Sequence, residues 1–516
     1  MKKFVWTAVW ILAVSAFVSA SGEDKGPVEM SLRTCLITAL ENNLDIAVAA
    51  YDPEIQDVSV QRAREIFYPQ LNLNYRNWDR TVPSSWGLEG NEYSYKYNSY
   101  DFNLSQMFIT GGTLSLGMSN SATNTSKSFT TVNPSYDNVI SFQIDQPLLK
   151  GFGPKMIRHE IRKAENQKDI AVFGMKSTIQ QKIYEVEEAY WNLVYQMEYL
   201  EVQQLSLEQN LQQLAKEREA ARIGTKSAID VLNMEKESAR WENGVVSARS
   251  LLETYQDRLK SLMSIHGESP ERRTVILPSD QPEYHANTIS YEEALSTALA
   301  RRPEIASAET SLSSNSMDIA YYRNQLLPQV NLQFNMTFPG QSGVRNIYLD
   351  NNPLTNVIID QVVGSRWDSL TESLKRTYQN WSLSLSVTVP FADFFSRSNL
   401  VQARIEQEQN ELKLERTRRE IEADLLQVYK ELDNLADKIQ TARHYTGMVE
   451  KHLDAVRQRY ELGLESSQWL LSYQRDLADA RVGEIKAIID YKIALARLHK
   501  IMGTNIEAQN LNYRSD

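Results

Sequence analysis

The strongest constraint in this sequence is the stretch from Pro154 to about Ile265. It carries no further proline and repeats apolar residues every three or four positions. Ile183, Val186, Ala189, Leu193, Met197 and Leu200, with Glu, Gln and Lys between them, form one face of an amphipathic helix. Gly153-Pro154 reads as the start, because proline at the first helical position lacks only an N–H that would be unpaired there. The first break is Gly224, within Arg222-Ile223-Gly224-Thr225-Lys226-Ser227, after which the helical pattern resumes and returns. At about 1.5 Å per residue the descending leg is about 100 Å long. A globular domain seldom needs such a helix, and a lone hairpin cannot bury both apolar stripes. The chain is therefore a coiled coil or spans a large gap.

The N-terminus narrows the choice. Lys2-Lys3, the apolar run Phe4 to Val18 and then Ser19-Ala20 read as a secretory signal peptide over residues 1–20. The competing reading is a retained anchor helix, for which about 15 apolar residues is short. No cysteine stands directly after the cut, which argues against a lipidated N-terminus. The remaining sequence has no apolar run of membrane-helix length, so any membrane passage must use strands. The net charge of −11 argues against a nucleic-acid partner. Cys35 is the sole cysteine, and the six histidines are scattered, so neither a disulfide nor a metal site is expected.

Taken in order, residues 21–265 form a first repeat. A helix from Ser31 to Tyr68, interrupted near Asp52-Pro53, leads into strands over 69–147 and then the hairpin 154–265. The strands show period-two alternation: Leu71, Leu73, Tyr75; Tyr100, Phe102, Leu104; Leu114, Leu116, Met118; Ile140, Phe142, Ile144. Polar segments 81–97 and 121–137 read as loops. A polar, proline-bearing connector, 266–290, follows. Residues 291–503 repeat the order: helix, strands over 328–390, hairpin 397–503, then a tail, 504–516. Ser290 to Leu299 lies over Ser31 to Leu40 at an offset of 259, which also places Pro328-Gln329 on Pro69-Gln70. An offset of 239 superposes Gly463 on Gly224 and Ser466 on Ser227. Val330, Leu332, Phe334, Met336 and Phe338 alternate strictly, as do Trp381, Leu383, Leu385, Val387 and Val389; residues 339–380 between them read as a long loop.

Lengths give an architecture. Each long descending helix is matched by two shorter helices stacked end to end, with 266–290 as the join between them. Strands of nine to eleven alternating residues suffice to cross a bilayer when tilted. A soluble sandwich would alternate too, but two strand groups flanked by helices this long leave nothing for a second sheet. One chain offers four strands, or six if Phe108-Ile109-Thr110-Gly111-Gly112 turns an extra hairpin. An open sheet in lipid leaves unpaired edge groups costing several kcal/mol each, so several chains must share one barrel. The expected fold is a mixed α+β membrane protein, with long α-helical barrel or coiled-coil hairpins and a transmembrane β-barrel shared between protomers.

These residues resemble the TolC-type outer-membrane efflux family. The likeness lies in the paired starts Leu36 to Leu40 and Leu295 to Leu299, in Arg302-Pro303-Glu304-Ile305, and in Leu327 to Gln329 with Tyr68-Pro69-Gln70. Gln146-Pro147-Leu148-Leu149, Val389-Pro390-Phe391 and Arg459-Tyr460 before Gly463 complete it. The match runs over essentially the whole chain after the signal peptide. The resemblance implies a homotrimer with a 12-stranded outer-membrane barrel, a periplasmic α-barrel tunnel, and tips that dock on a periplasmic adaptor of an inner-membrane pump. It implies no cofactor. Gly224-Thr225-Lys226-Ser227 is not a phosphate loop, because Glu219 stands where the first glycine belongs.

The candidate gate is the pair of glycine turns, Gly224 and Gly463; the bland reading is a structural turn alone. In the resembling family an acidic residue six after the first glycine is tied to a tyrosine three before the second; here these are Asp230 and Tyr460. The family's basic residue two after the second glycine is Glu465 here, and its counterpart in the first copy is Lys226, so a swapped Lys226–Glu465 pair is one hypothesis. Family acids six and nine after the second glycine are replaced by Trp469 and Ser472. Trp469 is then either an aromatic constriction or packing between helices.

The leading functional expectation is a passive exit duct of a tripartite efflux or type I secretion system. The alternative is a structural or adhesive coiled coil of the envelope, which the strand groups count against. An enzyme is not expected: no Ser/His/Asp order, HExxH or glycine-rich phosphate loop appears, and no catalytic residue is assigned.

Overall fold

The computed structural model describes residues 27–84, 92–127, 130–265, 275–355, 357–389, 394–509 and 511. The signal-peptide segment 1–20, Pro270 and the Pro390-Phe391 step lie outside them. In chain order come β1 (Val28–Met30), α1 (Leu32–Asn42), α2 (Leu44–Arg64), β2 (Gln70–Pro83), β3 (Glu92–Met107), β4 (Thr113–Thr125) and β5 (Val132–Pro147). A turn of helix, α3 (Pro154–Ile157), precedes the long α4 (His159–Arg222) and its return α5 (Ala228–Leu262). The second half holds β6 (Ile276–Pro278), α6 (Tyr291–Arg301), α7 (Pro303–Gln325), β7 (Gln329–Tyr348), β8 (Ile358–Val363), α8 (Arg366–Leu374) and β9 (Asn380–Thr388). The second long helix, α9 (Phe394–Glu461), returns as α10 (Ser467–Met502) and ends in α11 (Asn505–Ala508).

The duplication is visible in the caps. Ser31 and Ser290 open α1 and α6 with φ, ψ of −79°, 159° and −75°, 157°, each hydroxyl accepting from a backbone N–H three residues on. Asn43 and Arg302 end those helices with φ, ψ of −66°, 122° and −67°, 127°. The first ascending helix therefore breaks at Asn43 and not near Asp52-Pro53, and Pro53 sits inside α2. The physical reason is the cap: the Asn43 carboxamide oxygen accepts from Asp45 N–H and Ile46 N–H, and its amide donates to Leu262 O at 2.7 Å.

The chain forms two compact units. One comprises Met1–Ala49, Lys176–Arg302 and Arg419–Asp516 and is built of helices around a core that includes Cys35, Leu36, Ile183, Leu193, Met234, Leu425, Ile439 and Ile489. The connector, expected as a polar join, is pinned by this unit. Its β6 pairs in parallel with β1, and Asp280 accepts from Leu32 N–H at 2.7 Å and from the Tyr190 hydroxyl at 2.6 Å. Tyr491 accepts from Asn287 N–H at 2.8 Å.

The other unit comprises Ala50–Met175 and Pro303–Arg418 and carries a seven-stranded sheet, ordered β2-β3-β4-β5-β7, with β8 and β9 both pairing with β7. β9 covers residues 329–337 of β7 and β8 covers 344–348. The register stacks apolar on apolar: Leu73 opposes Phe102, Phe102 opposes Met118, Met118 opposes Ile140, Ile140 opposes Phe338, and Met336 opposes Trp381. On the opposite face Asn74, Asp101, Ser119, Ser141, Thr337 and Asn335 with Ser382 occupy facing rows. The Phe108–Gly112 turn does make the extra hairpin, between β3 and β4.

Several strands are longer than the expected nine to eleven residues, because they continue past the apolar rows into segments 81–97, 121–137 and 339–380 that read as loops. There polar, aromatic and aliphatic residues fall on either face, so strict alternation is lost from the sequence while pairing persists, as in Val82 opposite Tyr93 and Ile347 opposite Asp360. No helix among the described residues is long and apolar enough to cross a membrane.

Candidate gate at the helical turns

Both hairpins reverse by the same device. Gly224 takes φ +82° and Gly463 φ +72°, the left-handed region in which a side chain costs roughly 1 kcal/mol or more. Thr225 N–H donates to Ala220 O and Gly224 N–H to Ala221 O; Leu464 N–H donates to Arg459 O and Gly463 N–H to Tyr460 O. These are matching Schellman closures at the offset of 239. The demand on each glycine is conformational, since a Cβ would meet nothing within 4 Å.

Beside the turns the two hairpins are bolted together. Leu471 of α10 packs with Leu214 of α4 and Met234 of α5, and Tyr460 packs with Leu453, Val456 and Leu470. Tyr460 is 5% exposed, and its hydroxyl donates to the carboxylate of Glu217. Burial first, and then the Glu217 carboxylate, push the Tyr460 phenol well above its ordinary range. The Lys226 ammonium lies 4.0 Å from the Tyr460 ring centroid, a cation–π contact. Glu217 Oε1 also accepts from Gln213, whereas its Oε2 is buried with no hydrogen-bond partner.

The expected partners are therefore redistributed. Tyr460 is bonded to Glu217, and Asp230 instead accepts from the Ser467 hydroxyl at 2.7 Å. Lys226 and Glu465 do not pair: Lys226 faces the tyrosine ring, and Glu465 lies 3.4 Å from Arg459 across the αL turn. Lys226 and Glu465 each find a nearer partner across or within the turn, and an exposed ion pair is too weak to override that geometry. Trp469 is 53% exposed and stacks on Tyr473 of its own helix, at 6.1 Å and 23°. Within the chain it is not buried packing between helices.

Glu217 and Ser467 were missed in the sequence. Glu217 had a signal: it stands on the buried stripe of α4, seven residues after Asn210 and three after Leu214, where an acid is out of place. Ser467, beside the Ser466 cap, had none. Ile223, Ile229, Leu232, Leu462 and Leu464 around the turns are largely exposed. Among the described residues no group of His, Cys, Asp and Glu is placed to hold a metal ion.

A two-faced strand sheet joined in one chain to paired helical hairpins with glycine tips defines a membrane protein of the outer-membrane efflux class. A family model described as outer membrane efflux protein matches residues 111–264 and 294–504. The chain belongs to that family, and it is an outer-membrane protein. Among solved structures, a membrane protein from Pseudomonas aeruginosa is similar with a TM-score of 0.65 and 17% identity, over 92% of this chain and 91% of that one. The outer-membrane channel OprN is similar at 0.64 and 16%, over 92% and 90%. The open state of the Neisseria gonorrhoeae MtrE outer membrane channel is similar at 0.62 and 18%, over 92% and 89%. A search of curated protein sequences finds no match.

Proposed function

We propose that this efflux protein is the passive exit duct of a tripartite export system. Three chains close their sheets into one barrel, their hairpins line a periplasmic tunnel, and a periplasmic adaptor carries the link to an inner-membrane pump. The observation that supports this most is the register of the sheet. Its apolar rows form a continuous face and its polar rows another, while among the described residues no strand pairs with the outer edge of β2 or of β9. Such edges are intolerable in lipid unless other copies pair with them. Six long strands from each of three chains make eighteen, not the twelve that the family resemblance implies. Barrels of about 16–18 strands enclose an aqueous channel.

The tips supply the gate in this reading. Glu217–Tyr460 ties α4 to α9, and Asp230–Ser467 ties α5 to α10, so both bonds join one hairpin to the other. Opening must break both. The exposed aliphatic residues Ile223, Ile229, Leu232, Leu462 and Leu464 are the surface on which the adaptor docks. No nucleotide-binding motif is present in the sequence, so energy comes from the pump.

The test is single-channel recording in planar bilayers from the detergent-purified oligomer, with Asp230→Ala and Tyr460→Phe alongside. Small conductance in the parent and larger conductance in the variants is the expected result. Equal conductance in all three removes the gate and leaves the duct. A folded oligomer that never conducts overturns the duct and returns the chain to a structural role in the envelope.

A further inference from the structure

The short helix α8 lies on the apolar face of the sheet, at its outer end. A Cβ on Gly340 would stand 2.2 Å from Ser369 O, and the Arg376 guanidinium lies 5.3 Å from the ring centroid of Phe338, whose row is Ile140 and Met118. Beyond that apolar row the same face turns polar, with Asn77 opposite Asn98, Asp79 opposite Lys96, and Asn120 opposite Asn138. Between this polar border and the start of α8 opens a cleft of about 620 Å³, lined by Lys96, Asn98, Tyr100, Asn124, Tyr136 and Arg366.

Arg366 is held in place but not neutralised. Its guanidinium bonds to the Asn98 carboxamide oxygen and lies 5.1 Å and 5.9 Å from the ring centroids of Tyr100 and Tyr136. It makes no ion pair among the described residues. The nearby acids are otherwise engaged. Asp368 accepts from Ser365 N–H and hydroxyl, Glu372 accepts from Gln341 N–H, and Asp79 lies 3.9 Å from Lys96, both exposed. An uncompensated cation on the lipid side of a membrane sheet is costly except near the headgroups, where a phosphate can meet it. The remaining walls suit a sugar: beside the guanidinium stand tyrosine hydroxyls and two carboxamides. Below the cleft the same face continues as Tyr100, Phe102 and Leu104, a track for acyl chain. Trp367 and Leu374 of α8 are exposed, a placement suited to the headgroup boundary.

We infer that this cleft binds the phosphorylated sugar headgroup of an outer-leaflet glycolipid. Arg366 and Lys96 take the phosphate, and Tyr100, Tyr136, Asn98 and Asn124 take the sugar hydroxyls. The assignment rests on the sheet standing in the outer membrane. The site uses a fork-shaped guanidinium for a phosphate, the geometry to which arginine is suited.

The experiment uses the full chain as a purified oligomer, stripped of lipid in detergent and probed by native mass spectrometry and titration. The probes are a bisphosphorylated, acylated glucosamine disaccharide, its dephosphorylated form, and soluble glucosamine 1-phosphate. The bisphosphorylated lipid should bind, the dephosphorylated lipid on the order of tenfold more weakly, and the charge-assisted part of binding should fade with salt. Arg366→Gln with Lys96→Gln should erase the preference. Lys96→Gln alone, at an exposed position, should lower it without touching α8. Equal binding of both lipids, or unchanged binding in the double variant, overturns the proposal. Soluble glucosamine 1-phosphate binding as tightly as the lipid overturns the membrane as the source. Single-channel conductance, read on the same oligomer, fails separately if the duct reading is wrong.

Discussion

The Tyr460 hydroxyl donates to a Glu217 carboxylate that is 3% exposed and whose second oxygen has no partner. Two donors, the Tyr460 hydroxyl and Gln213, compensate a buried acid, and the tyrosine's bond crosses from one hairpin to the other. Tyr460→Phe should destabilise the tips by about 1–3 kcal/mol, the cost of taking the stronger of two donors from a buried carboxylate. Glu217→Gln should cost less, because a neutral amide is cheaper to bury. Hydrogen exchange of the residues flanking both turns should rise more in Tyr460→Phe. An equal rise in the two variants would contradict the asymmetry.

The glycine turns make opposite predictions at two positions. Gly224→Ala places a side chain at φ +82° and should lose about 1 kcal/mol. Ser264 occupies the position at offset 239 from Gly503, with φ +54° against +70° and the same pair of closing bonds. Ser264→Gly should therefore stabilise the chain by a few tenths to about 1 kcal/mol. Thermal unfolding of the purified protein measures both, and a destabilised Ser264→Gly would refute the strain at that turn.

Gly340 is a question of space. An added Cβ would meet Ser369 O at 2.2 Å and Ser373 N at 2.7 Å, both backbone atoms that cannot swing aside. Gly340→Ala should lift α8 from the sheet while β7 keeps its ladder. Limited proteolysis should then cut within 366–374, and circular dichroism should keep the strand signal. A variant as resistant as the parent would show that α8 tolerates the change.

Glu187 links pH to stability. Burial raises its carboxyl from 4.5 to about 7, although Gln509 donates to it. The folded chain then binds a proton that the unfolded chain has lost, so stability is fully present below about pH 4.5 and declines as pH rises toward 7. Every tenfold gain in proton affinity on folding is worth about 1.4 kcal/mol. Glu187→Gln should flatten that slope, measured as denaturation midpoints at pH 5 and pH 7.5. An unchanged slope would place the proton elsewhere.

Much of this architecture is legible in the order of residues alone. The 3.6-residue period and the two glycines determine the hairpins, since helix formation and reversal depend on residues a few positions apart. The two-residue period determines which face of each strand is apolar. The duplication follows from two offsets. Tertiary structure decided what depends on neighbours distant in sequence. Where polar and apolar residues mix on both faces of a strand, alternation is absent and only pairing shows that β3 reaches Glu92 and β7 reaches Tyr348. The Asn43 break, stronger than Pro53, rests on a bond to Leu262 O. The partner of Tyr460 was Glu217 and not Asp230, because which side chains meet across two hairpins is set by how the stripes of α4 and α9 interlock. Local propensity carries no record of that choice.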